Sequence, residues 1–417
     1  MKKQMLHTPE GVRDIYSLEY GKKSVLEEKL QNVFHLYGYH DIQTPTFEYF
    51  DVFGKEIGTT PVKELYKFFD REGNTLVLRP DITPSIARAA MTVFDSENLP
   101  IRLCYKGNTF VNQSSYQGRL HENTQIGAEF IGIGSVEADA EMVVMAVDSL
   151  REVGLQEFQI HIGSVDFFES LIEETGLLAE DETRLRELIN NRNYFAVEEL
   201  LEQSQVKVTA KTALLVLEEL IGGAEVLKEA KKIALNNKTL DAVRRLEELH
   251  GLLVSYGVDK YITYDLSMRG NYDYYTGIIF RGYTYGTGDA IVKGGRYDHL
   301  MEKFGKASPS IGFVIVVDEL MNAFARQKLE IPYKLKNTLI LYDENRQAEA
   351  IKLAKEFRNS GKRTELTKKR ADKSLEEYIS YAKQNLCVSM LYLRNTKDIE
   401  MVNLLTGTGK SVSKTIK

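Results

Sequence analysis

Cysteine is nearly absent: Cys104 and Cys387 are the only two in 417 residues. Two thiols so far apart in sequence build neither a disulfide framework nor a Cys-based metal site, and the pattern predicts a reducing, cytoplasmic setting. No apolar run approaches the roughly 18–20 residues that a membrane span needs. The opening stretch MKKQMLHTPEGVRD has two lysines but no apolar core, so it does not read as a secretory signal. Proline is scarce, eight residues against thirty glycines, and no tandem repeat or low-complexity tract interrupts the chain, so disorder is not expected. Neither a Walker phosphate loop nor a dinucleotide fingerprint occurs at the spacing those motifs require.

What is present fits a soluble globular protein of two or three domains, with 43% hydrophobic residues. The net charge of −6 is unevenly spread. Residues 331–417 hold 18 Lys+Arg against 10 Asp+Glu, so they carry +8, and the rest of the chain carries −6 − 8 = −14. An acidic body repels nucleic-acid phosphates, while a basic tail attracts them or simply presents a solvated Lys-rich surface.

Periodicity places a helix over residues 20–37, with Leu26, Leu30, Val33 and Tyr37 on one face. Extended segments are expected at Thr75–Arg79, Arg102–Tyr105, Asn108–Gln113, Thr124–Gly132 and Phe158–Gly163, with a helix over 139–153. Residues 166–256 turn Leu-, Glu- and Arg-rich and read as a helical insertion between two parts of one sheet. Strands resume at Ile262–Ser267, Gly277–Tyr285, Asp289–Val292 and Ser310–Val317, the last running into a helix near Asp318. After a linker at 328–336, the alternation of strands and helices over 331–417 predicts a small α/β domain.

Four segments carry candidate chemistry. LVLRPDITPSIARAA (76–90) sets Asp81 and Thr83 between a strand and a helix. A carboxylate there suits an ammonium, although either residue also suits a helix cap, with Pro84 as an early helical residue. GRLHENTQIGAE (118–129) offers Arg119, His121, Glu122, Gln125 and Glu129. On a strand, Gln125, Gly127 and Glu129 share one face, which fits a ligand lying flat on a sheet or a solvated face; His121 reads as a surface loop residue. MRGNYDYYTGIIF (268–280) places three tyrosines beside Asp273, an aromatic wall for a small polar ring such as imidazole or plain core packing. GTGDAIVKGGRYD (286–298) puts Gly294 and Gly295 at a strand end, where backbone approaches a ligand closely or simply turns.

Together with TPEGVRDIY, YGYHDIQTPTFE and SIGFVIVVDEL, these segments resemble the catalytic core of histidyl-tRNA synthetase, a class II synthetase, over residues 8–325. The tail resembles a reduced anticodon-binding domain. The resemblance implies an α+β fold: an antiparallel sheet flanked by helices, with residues 1–325 as synthetase-like core and 331–417 as the small domain. The departures are as telling. In the synthetases one arginine, at the end of the first strand of the second class II motif, holds the α-phosphate, a second begins the helix of the third motif and a third precedes the double tyrosine; by the resemblance their places are filled here by Val111, Glu319 and Gly270, with Arg269 one position off. Losing one preorganised donor costs roughly 10²–10³ in rate, and Val111 offers no hydrogen bond while Glu319 repels a triphosphate.

A synthetase-like chain with a histidine pocket and no adenylation apparatus resembles the regulatory subunit of ATP phosphoribosyltransferase, in which RPD and GNxF are common. That resemblance implies a non-catalytic chain that binds histidine through Asp81, Thr83, Gln125, Glu129, Tyr274 and Tyr275, with Arg119, Gly294 and Gly295 as further contacts. It implies no metal and no cofactor. The implied partner is a short catalytic subunit that performs the first step of histidine biosynthesis. The implied assembly is a hetero-octamer of four plus four, in which this chain dimerises near Gln31–Glu48, with tRNA not a partner. Two alternatives stand beside it: an active histidyl-tRNA synthetase with displaced arginines, and a free-standing histidine-sensing or RNA-binding paralogue.

Overall fold

The computed structural model describes residues 6–54, 60–94, 100–113, 120–270, 274–396, 398–406 and 408–412. Helix α1 (Ser17–Leu36) leads through Gly38, at φ 82°, into the short strands β1 (His40–Asp41), β2 (Phe47–Tyr49), β3 (Lys67–Phe69) and β4 (Thr75–Leu78). Then come α2 (Thr83–Val93), β5 (Ile101–Phe110), β6 (Glu122–Ile131), α3 (Val136–Val153) and β7 (Phe158–Ser164). The helical stretch follows as α4 (Val165–Glu173), α5 (Ala179–Asn190), α6 (Tyr194–Gln203) and α7 (Val208–Val216), then β8 (Ile221–Gly222), α8 (Glu225–Lys232) and α9 (Asn237–Ser255). Strands β9 (Ile262–Asp265), β10 (Thr276–Thr284), β11 (Val292–Arg296) and β12 (Ser310–Val316) lead into α10 (Val317–Gln327).

Nine strands form one sheet in the order β1-β5-β6-β12-β11-β10-β7-β9-β8. Its centre, from β5 to β7, is antiparallel throughout; the β1–β5 and β7–β9 pairs towards its edges are parallel. Strands β2, β4 and β3 form a separate small sheet. One face of the large sheet is covered by α1, where Leu26, Leu30 and Phe34 are fully buried and Phe34 meets Phe313 edge-on at 5.5 Å. Aromatic pairs in that geometry add to simple burial. Tyr37, expected on the same face, is half-buried instead and donates its hydroxyl to Asp148 at 2.7 Å.

The segments expected as two strands around Asn108 merge into one continuous strand, β5, paired with β6 from Ile101↔Ile131 to Phe110↔Glu122 and ending before Val111–Gln113, which were expected to extend it. Gly107 does not break it. It is there for space: a Cβ would sit 2.1 Å from Nη2 of Arg79. Arg79 uses its guanidinium to tie three segments together, donating to the carbonyls of Asn108, Thr44 and Pro45.

The helical insertion also supplies an edge strand, β8, to the large sheet. A buried ion cluster fixes its last helix: Asp139 of α3 accepts from Arg296 of β11 at 2.5 Å and from Arg245 of α9 at 2.6 Å.

The chain divides into two compact units, one of Met1–Asp14 with Leu26–Ile331 and the other of Ile15–Val25 with Pro332–Lys417. The second unit contains β13 (Asn337–Tyr342), α11 (Gln347–Asn359), β14 (Arg363–Lys368), α12 (Leu375–Gln384), β15 (Cys387–Leu393), β16 (Ile399–Asn403) and β17 (Gly409–Val412). Its sheet runs β14-β13-β15-β16-β17, parallel over the first three strands and antiparallel after them. Helix α12 starts on a capping box, Ser374 with Glu377, which satisfies two otherwise orphaned N–H groups.

Candidate functional site

On the sheet face away from α1, register lines up small residues. Glu129 of β6 pairs with Gly312 of β12, Gly312 with Gly295 of β11, and Gly295 with Ile279 of β10. Tyr105, Gly127 and Gln125 lie on the same face by strand alternation. The glycines make room for large polar neighbours. A Cβ on Gly312 would meet Glu129 Oε2 at 1.6 Å, one on Gly127 would meet the Tyr105 hydroxyl at 2.5 Å, and one on Gly295 would meet the Tyr275 ring at 2.8 Å. The Cβ position of Gly294 points into Phe280 and Phe313 on the other face. Both glycines lie inside β11 rather than at a strand end, because the strand runs through to Arg296.

Glu129 is 1% exposed and stands at the base of this face. Thr83 donates to its Oε1 at 2.6 Å and Tyr297 to its Oε2 at 2.5 Å. Burial pushes its carboxyl up to about 8; the hydrogen bonds from Thr83 and Tyr297 oppose this, and the nearby charge of Asp81 adds to it. Asp81 is also raised by burial; Tyr274 donates to its Oδ2 at 3.0 Å and the Ile82 N–H to its Oδ1 at 2.8 Å.

Neither Asp81 nor Thr83 occupies the N-cap position of α2, although Asp81 accepts the Ile82 N–H at the start of the helix. Its N-cap position is Ile82, which makes no side-chain cap, and Thr83 spends its hydroxyl proton on Glu129.

The aromatic wall closes the cluster. Tyr274 lies 5.0 Å from Tyr275 and 5.9 Å from Tyr297, ring centre to ring centre. Burial raises the Tyr275 hydroxyl, so it remains a donor at any ordinary pH. Tyr275 also lines an open cleft with Gly270, Ile279, Arg281, Lys293 and Gly294. Gln125 belongs to the same strand face as Glu129, and its Oε1 is buried with no hydrogen-bond partner among the described residues. Asp81, Thr83, Glu129 and Tyr274 are thus joined through direct hydrogen bonds and ring packing, with Tyr275 beside them and Gln125 further along the same strand. Arg119, Tyr272 and Asp273 lie outside the described residues.

Two participants escape the sequence reading, Tyr297 and Tyr105, and His121, away from this cluster, is misread by it. Tyr297 holds Glu129; Tyr105 packs over Gly127; and His121 is no surface residue. It is buried, its backbone N–H donates to Gly11, and its Nδ1 lies 2.9 Å from the Tyr66 hydroxyl. The close approach of Tyr105 to Gly127 rests on the β5–β6 register, which only the folded sheet supplies. Val111 lies just past β5, its N–H bonded to the His121 carbonyl, and Glu319 is in the first turn of α10.

Residues 11–320 match the family described as histidyl-tRNA synthetase. Among curated relatives, the ATP phosphoribosyltransferase regulatory subunit of Acetivibrio thermocellus is 38% identical over 413 residues, covering 99% of this chain and 98% of the relative. That of Ruminiclostridium cellulolyticum is 37% identical over 97% of this chain and 96% of its own length. A solved Bacillus halodurans structure, titled ATP phosphoribosyltransferase regulatory subunit/histidyl-tRNA synthetase, superposes with a TM-score of 0.82 at 31% identity, covering 94% of this chain and 97% of that one. The histidyl-tRNA synthetase of Nostoc sp. PCC 7120, at 17% identity and a TM-score of 0.78 over 97% of this chain and 96% of its own, shares the fold. On this sequence identity, over nearly full length on both sides, the chain belongs to the family of ATP phosphoribosyltransferase regulatory subunits, built on the histidyl-tRNA synthetase fold.

Proposed function

We propose that this chain binds histidine as an allosteric effector and, without catalysis of its own, regulates a short ATP phosphoribosyltransferase catalytic chain in the first step of histidine biosynthesis. Gln125 carries the reading. Its orphaned, buried Oε1 represents a cost of about 1–3 kcal/mol, which an ammonium group offsets by donating to it. Asp81 supplies the counter-charge for that ammonium, and Thr83 orients the carboxyl of Glu129. Glu129 accepts from a ring N–H of the imidazole, with Tyr274 and Tyr275 against the ring.

The relatives' names supply the partner. We place the assembly in the cytoplasm, as homodimers of this chain within a hetero-octamer. No helix among the described residues is long and apolar enough to cross a membrane. The net negative charge outside the tail argues against tRNA as a partner. Histidine regulates only through a preference for one state of the assembly over another.

Calorimetry of histidine with the pure chain, together with co-expression with the short catalytic chain, tests this. Binding is expected, along with a stable complex whose ATP phosphoribosyltransferase activity falls when histidine is added. Histidine-dependent exchange of pyrophosphate into ATP at about 1 s⁻¹ or more overturns it in favour of a synthetase. Binding of histidine without complex formation overturns it in favour of a free-standing sensor.

A further inference from the structure

Cys104 alternates along β5 with Leu103 and Tyr105, so it lies on the reverse face from the histidine pocket, under the end of α1. There it meets two other metal-ligating side chains that sequence spacing kept apart. Asp41 of β1 pairs directly with Cys104 across the parallel β1–β5 ladder. His35 comes from the last turn of α1. The Nε2 of His35 is 3.0 Å from Asp41 Oδ2, and Cys104 Sγ is 3.5 Å from Asp41 Oδ1. All three donor atoms lie within 4.8 Å of one another.

A tetrahedral ion with bonds of about 2.0–2.3 Å holds its ligand atoms roughly 3.3–3.8 Å apart. The trio is therefore close to coordinating geometry without backbone rearrangement. We propose that His35, Asp41 and Cys104 form a divalent-metal site of the zinc class, with water in the fourth position. The donor set favours this ion: a thiolate beside an imidazole suits zinc and not magnesium or calcium, which take oxygen. In the isolated chain His35 and Asp41 are exposed and β1 is an edge strand, so an ion reaches the trio before the Gln31–Glu48 segment is covered by a second copy. Gln31 reaches Asp41 Oδ1 at 3.4 Å and orients the carboxylate from outside. On binding, the metal–sulfur bond forms as the thiol proton leaves to solvent. The ion would pin the end of α1 to the β1–β5 edge.

The test uses the full chain, stripped with a chelator and titrated with Co²⁺ as a spectroscopic probe. The expected result is a sulfur-to-cobalt charge-transfer band with tetrahedral visible bands, both lost on adding Zn²⁺. Cys104→Ser should abolish the charge-transfer band and Cys387→Ser should keep it. His35→Ala, at an exposed position that leaves folding intact, should weaken Co²⁺ binding about tenfold or more. A wild-type chain without the band, a band that survives in Cys104→Ser, or unchanged affinity in His35→Ala would each overturn the site and leave a metal-free hydrogen-bonded trio.

Discussion

Thr83 and Glu129 share a 2.6 Å hydrogen bond although 46 positions separate them in the chain. One opens a helix and the other sits mid-strand. The bond brings the start of α2 down onto the glycine face, and Tyr297 holds the other carboxylate oxygen from β11's end. A carboxyl so enclosed titrates far from its ordinary value, and the consequences are measurable.

The first concerns pH and the ligand-free chain. Glu129 titrates near 4.5 when unfolded and at about 8 in the fold, chiefly through burial. Between those values the folded state keeps a proton that the unfolded chain has released. Stability contributed through this group therefore falls as pH rises across that window, and the loss is complete above it. Thermal melts from pH 5 to 8.5 should show a decline that Glu129→Gln flattens. A variant with the same slope as wild type contradicts the assignment.

Histidine affinity should depend on Asp81 as counter-charge to the ligand's ammonium. Losing a charged hydrogen bond in a desolvated pocket costs roughly 1.5–3 kcal/mol, about 10- to 150-fold in affinity. Asp81→Ala and Glu129→Ala are each expected to weaken binding at least about tenfold by calorimetry. In the complex with the catalytic chain, each should move histidine inhibition to higher concentration while basal activity survives. Unchanged affinity in both would relocate the pocket.

Gly312 offers a steric probe of the same carboxyl. An added methyl would lie 1.6 Å from Glu129 Oε2, so Gly312→Ala must displace it. Overpacking of this kind costs about 1–3 kcal/mol. A lowered melting temperature together with weakened histidine binding is expected. A variant that binds as tightly as wild type would show that Glu129 does not touch the ligand.

Asp139 joins the sheet to the helical insertion, and its partner Arg296 has a side chain only 2% exposed. Asp139→Ala leaves that buried guanidinium with only Asp298 and the carbonyls of Ile133 and Ser135 as partners, a loss that approaches the roughly 3–5 kcal/mol of a broken buried pair. Arg245→Ala should cost less, since Arg245 is 30% exposed and Asp139 keeps Arg296. Denaturant unfolding of the two variants distinguishes them.

The sequence by itself determined the order and type of the longer elements, and not the short strands β1, β2, β3 and β8. Its periodicities placed α1, α3, the helical insertion and the alternating tail, because a helix or strand must turn one repeating face inward. Alternation alone put Gln125, Gly127 and Glu129 on one face. It did not decide which side chains meet across the sheet. Pairing register, a property of several strands at once, brought Gly312 to Glu129 and Gly295 to Tyr275. It also joined β5 through Gly107, where a local reading broke it, because the glycine answers to Arg79 rather than to a turn. His121 was misplaced for the same reason: its burial depends on Gly11 and Tyr66, distant in the chain. Residue types carry local preference and face; distances, proton affinities and the meeting of His35, Asp41 and Cys104 exist only once packing has fixed which distant neighbours exclude water from each group.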